Sequence, residues 1–80
     1  MITQEQLEAK VTALGGPNNC EDLSTLTDDQ VFALLAWELW KDGMDWNQGV
    51  PEIAEGKFTR NNLFNTREGC VLFLKSTFGY

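Results

Sequence analysis

The chain has 80 residues, twelve carboxylates against six lysines and arginines, no histidine and a net charge of −6. With 42% hydrophobic residues, including three tryptophans and five phenylalanines, it is too apolar for a disordered segment, and its length excludes a second domain. Residues 1–80 are therefore read as one compact domain.

The first predicted helix spans 4–14. Thr3 and Gln6 have capping-box spacing, Ile2 and Leu7 the spacing of a hydrophobic staple, and Gly15, Gly16 and Pro17 form a stop signal. Leu7, Val11 and Leu14 give it one narrow apolar stripe, so it is expected to lie on the surface of a larger element. The loop that follows, from Gly15 to Asp22, is rich in turn residues.

The second helix is predicted over 28–42. Thr27 and Gln30 repeat the capping box, Leu26 and Val31 the staple, Asp28 and Asp29 favour the positive end of the dipole, and Gly43 suits a C-terminal cap. At 100° per residue Phe32, Ala33, Leu35, Ala36, Trp37, Leu39 and Trp40 form an apolar arc of roughly 200°, while Val31 and Leu34 interrupt the other side. An arc that wide marks a central element, or a helix shared between core and partner. Phe32, Leu35, Ala36, Leu39 and Trp40 are expected inside with Leu7, Val11, Leu14, Leu74 and Phe78. Trp37, at the edge beside Leu34, is expected to face a partner.

Residues 43–56 read as a connector with one short turn near 51–55. Met44 and Trp46 are too apolar for an idle loop and are expected to fold back over the core. Carboxylates and amides flank both loops, but counting from Asp45 the twelfth position is Gly56, where a calcium loop needs glutamate.

A last helix is predicted over 66–78, with Asn65 and Glu68 as cap pair and Cys70, Val71, Leu74 and Phe78 on one face. The alternative for 70–74 is a buried strand, which would make the domain α+β. The fold class expected is all-α, with three to four short helices.

The chemistry is defined by what is missing. Without histidine there is no ready general base near neutral pH, no partner to activate Cys20 or Cys70, and no zinc ligand set. The adjacent carboxylates Glu21 with Asp22 and Asp28 with Asp29 sit where capping accounts for them. The cysteines lack a CxxC and read as free thiols, Cys70 as a core residue. No signal-like or membrane-spanning run is visible, so the chain reads as cytoplasmic. No enzyme, cofactor or metal is expected.

Binding remains. Residues 1–55 hold eleven carboxylates against Lys10 and Lys41, a balance of −9, and residues 56–80 hold Lys57, Arg60, Arg67 and Lys75 against Glu68, a balance of +3. The expected surface is Leu34, Trp37, Glu38, Lys41, Asp42, Asp45 and Trp46, with Glu21 and Asp22 as a second acidic candidate. An apolar anchor ringed by charges suits a larger, basic protein partner. Small acidic chains of this type are what phages and mobile elements encode against host nucleases. The specific expectation is thus an inhibitor of a nucleic-acid-handling enzyme, anti-CRISPR-like and imitating phosphates in its extreme form. An adaptor or structural subunit is the alternative, and a homodimer through the Leu34 and Trp37 edge is compatible with either. Direct nucleic-acid binding through Lys57, Phe58, Arg60, Asn61, Asn62, Phe64 and Arg67 ranks below both, because few cations oppose a strongly acidic remainder.

Overall fold

The computed structural model describes residues 1–14, 22–60 and 62–80. Its α-helices are α1 (Gln4–Ala13), α2 (Asp28–Lys41), α3 (Val50–Ala54) and α4 (Arg67–Phe78), joined by 3₁₀ turns at Leu23–Thr25, Trp46–Gln48 and Asn62–Asn65. Among the described residues there is no strand, and Cys70–Leu74 lies within α4. The all-α class stands, and the α+β alternative does not.

Both threonine boxes close as the spacing predicts. The Thr3 hydroxyl accepts from the Gln6 amide at 3.1 Å while the Gln6 side chain accepts from the Thr3 amide at 2.9 Å. At α2 the corresponding distances are 3.2 and 2.8 Å. Each box satisfies two amides that the helix itself leaves without acceptors. The third cap differs from expectation. Thr66, not Asn65, starts α4, its hydroxyl accepting from the Gly69 amide at 3.1 Å, because Asn65 is already committed to the preceding 3₁₀ turn. Gly69 also permits close approach: a Cβ there would overlap the Leu63 carbonyl.

α2 packs against α1, α3 and α4. Val31, Ala33, Leu34, Leu35 and Ala36 are all fully buried, and at 100° per residue these five positions encircle the helix. This corrects the predicted orientation. Val31 and Leu34 do not interrupt a solvated side, because three neighbouring helices close over both of them and leave only Phe32 partly open between Val31 and Ala36. Around this half of α2 lie Leu7 and Val11 from α1, Val50, Ile53 and Ala54 from α3, Cys70 and Leu74 from α4, Leu23 and Phe64 from the 3₁₀ turns, and Phe58 from the segment after α3. Phe32, Leu39, Trp40, Leu14 and Phe78, expected inside, are only half-buried.

The basic C-terminal part is tied to the acidic remainder. Arg67 donates to Asp28 at 3.0 Å and to the Leu23 carbonyl at 2.9 Å, joining the start of α4 to the start of α2. The Ile2 amide donates to the Glu55 carboxylate at 3.1 Å, which fastens the chain before α1 to the end of α3.

Candidate interaction surface

α2 ends in a Schellman turn. The Met44 amide reaches the Leu39 carbonyl at 2.9 Å and the Gly43 amide reaches the Trp40 carbonyl at 3.2 Å, with Gly43 at φ +111°. The turn reverses the chain, and Met44 and Trp46 pack back against the core half-buried, as their apolar character predicts. Asp45 holds the next turn through its carboxylate, which accepts from the Asn47 amide at 2.9 Å. Trp46 thereby meets Trp40 edge-to-face, with ring centroids 5.2 Å apart at 70°.

Lys41 lies over this aromatic group. Its Nζ is 4.5 Å from the Trp40 ring centroid and 5.5 Å from that of Trp37. An ammonium over an indole face is worth about 0.5–1 kcal/mol at an exposed site, enough to favour one side-chain placement over many. Trp37, Trp40, Lys41 and Trp46 therefore form one half-exposed cluster at the carboxyl end of α2.

Carboxylates border it. Asp42 and Asp45 are exposed and Glu38 is half-buried. Burial, reinforced by the neighbouring Asp42 charge, raises the pKa of Glu38 above the ordinary glutamate range. The Trp37 Nε1–H is buried without an acceptor.

Of the residues expected on this surface, Trp37, Glu38, Lys41, Asp42, Asp45 and Trp46 are brought together, and Leu34 is not. Leu34 has 0% exposure and belongs to the core, so an oligomer through a Leu34 and Trp37 edge has no such edge to use. Trp40, expected inside, joins the cluster instead. The sequence placed Trp37, Lys41 and Trp46 on one surface but gave no sign that Trp40 joins them; the Trp40–Trp46 contact depends on the turn at Gly43. Asp22 is separate, near the amino end of α2. There it holds the Leu23–Thr25 turn, accepting from the Ser24 hydroxyl at 2.6 Å and amide at 3.0 Å, contacts that lower its pKa. Glu21 and Cys20 lie outside the described residues.

The two aromatic residues of the candidate nucleic-acid surface are not available for stacking. Phe58 and Phe64 are each only 8% exposed, Arg67 is held by Asp28 and Leu23, and Lys57 pairs with Glu55 at 3.5 Å. Asn61 and the side chain of Asn62 fall outside the description. Cys70 is a buried free thiol whose pKa desolvation raises to about 11, the environment of an inert core residue rather than a nucleophile.

Among the described residues, no group of three or more aspartate, glutamate or cysteine side chains is placed to hold a metal ion, and no helix is long and apolar enough to cross a membrane. The chain matches no protein-family model, no curated protein and no solved structure.

Proposed function

We propose that this protein is a small acidic, non-enzymatic binding module whose docking surface is the cluster of Trp37, Trp40, Lys41 and Trp46, and that it antagonises a nucleic-acid-handling protein by occupying a basic surface. The observation that carries this reading is the cluster itself, an amphipathic aromatic group bordered by Glu38, Asp42 and Asp45 at the end of a helix that commits Val31, Ala33, Leu34, Leu35 and Ala36 to the core. Tryptophan supplies large contact area at small entropic cost, and it dominates the energetics of many interfaces. The surrounding carboxylates complement a cationic partner and would speed its capture. A surface that normally receives phosphates meets both requirements. Adaptor function would use the same face without competing with nucleic acid.

The test is affinity capture with the intact chain from its source cells and from host cells, followed by challenge of the captured complex with duplex and single-stranded DNA and with RNA. A basic nuclease or polymerase that is retained by the wild type, lost with Trp37→Ala by about 2 kcal/mol or more, and displaced by nucleic acid supports antagonism. A partner indifferent to nucleic acid would turn the reading to an adaptor. Asp42→Lys and Asp45→Asn, the latter retaining the oxygen that caps the Trp46 turn, should slow association and flatten its salt dependence.

A further inference from the structure

A second surface lies beside the other end of α2. α4 carries Glu68, Leu72 and Lys75 at i, i+4 and i+7, and all three are exposed. Leu72, at 61% exposure, is the most exposed large apolar side chain of any described helix. Val71 beside it is half-buried, and together they floor an open groove against Leu23 and Ser24. Arg67 forms a fixed wall, held by its two contacts to Asp28 and Leu23. Of the other rim charges, Asp22 is engaged by Ser24 and lies within electrostatic reach of Lys75, and among the described residues neither Glu68 nor Lys75 forms a direct ion pair.

We propose that the outer face of α4 is a self-association surface, on which two copies pair their α4 helices antiparallel, burying Leu72 and Val71 and setting Glu68 of each copy against Lys75 of the other. The charge pattern selects the occupant. An isologous contact brings each patch onto itself, so a surface suited to it must be complementary to its own two-fold image. In an antiparallel pair facing positions have a constant sum, and the register that faces 68 with 75 also faces 72 with 71. One register thus satisfies both charges and both apolar residues, twice over. A purely acidic or purely basic rim would repel its own copy; this rim carries two charges of each sign, and of these Glu68 and Lys75 stand at the two ends of the apolar centre.

The contact is confined to one helix and the Leu23–Thr25 turn, well below the roughly 1,200 Å² of a standard stable interface. Association is therefore weak and concentration-dependent. It leaves the tryptophan cluster free, because α2 spans about 21 Å at 1.5 Å per residue and the two surfaces lie towards its opposite ends. A dimer would present two tryptophan clusters to a partner with repeated sites, which raises avidity without new contacts.

Sedimentation velocity on the purified full chain, from micromolar to millimolar concentration, tests this without any partner. Wild type should shift towards a dimer with concentration. Glu68→Lys and Lys75→Glu should each lower the association constant by about tenfold or more, since each sets like charges face to face twice. An equimolar mixture of the two variants should recover wild-type association, because every facing pair is again of opposite sign, and that recovery also shows that both variants fold. Leu72→Glu should abolish association. A wild type that stays monomeric to millimolar concentration overturns the proposal, and so does a dimer that neither charge reversal weakens or that the mixture fails to restore. None of these outcomes bears on the tryptophan surface, whose test requires the heterologous partner.

Discussion

The two halves of α2 share one helix but have different fates. Within Val31–Ala36 every residue but the half-buried Phe32 is enclosed among α1, α3 and α4, whereas Trp37–Trp40 is half-exposed and Lys41 is exposed. The largest side chains of the helix, Trp37 and Trp40, are in the less buried half. Bulk apolar character therefore does not rank burial here; what ranks it is how many neighbouring elements reach each turn. Small and branched residues take the enclosed positions where three helices converge, and the rings of Phe32, Trp37 and Trp40 lie where only part of each can be covered. The first half fits a helix that holds a domain together, and the second fits one that meets something else.

The sharpest way to break this division is Leu34→Ala. At a fully buried site the truncation should cost about 2–5 kcal/mol, and at about 4–8 °C per kcal/mol for a domain of this size the melting temperature should fall steeply. Leu39→Ala, in the half-buried turn, should cost distinctly less. Equal melting of the two variants would erase the distinction between the halves.

Next in size is Gly69→Ala. The new methyl would overlap the Leu63 carbonyl at the start of α4, and the forced displacement should cost about 1–3 kcal/mol. Chemical denaturation would measure it; a neutral result would mean that the 3₁₀ turn at Asn62–Asn65 yields freely.

Trp37→Phe probes the open half. It removes the orphan Nε1–H while keeping an aromatic ring, so lost area and relieved desolvation oppose one another and stability should change by no more than about 1 kcal/mol. A loss several times larger would place Trp37 with the core residues.

The smallest effects are electrostatic and of opposite sign. The pKa of Glu38 is raised in the folded state by burial, so its ionisation opposes folding above its folded pKa, and the penalty disappears below its unfolded value. Glu55 is lowered, first by the Ile2 amide, so its stabilisation is present above the unfolded pKa and is lost as pH falls through the folded one. At pH 7, Glu38→Gln should melt slightly higher than the parent and Glu55→Gln slightly lower. Both differences should fade below about pH 4, near the ordinary glutamate pKa. Melting curves across that range that fail to converge would reject the assignment.

Helix positions were legible because their signals are local. Thr3, Thr27 and their glutamines are three residues apart, and a capping box needs only the groups of such a tetrapeptide when no neighbouring turn claims its first residue. Gly43 announced the end of α2 for the same reason. The misplaced α4 cap is instructive: Asn65 and Thr66 are both competent, and the choice fell to Thr66 because a separate turn had already taken Asn65. The arc of α2 was legible as too wide for a single contact, but not which turns would be enclosed, since Leu34 and Trp37 lie next to each other on the wheel and separate only along the axis.

What the residues by themselves determined is thus the set of elements, the acidic balance, and the lack of histidine chemistry, each a property of composition or of groups within about four positions. The tertiary structure alone decided that Leu34 is core and Trp40 is not, that Trp46 returns to Trp40 beneath the reach of Lys41, that Arg67 is tied to Asp28, and that Leu72 is left uncovered. Each of these depends on where a second element lies. A helical wheel records angle but not how many neighbours converge at a given height, and burial follows from the neighbours.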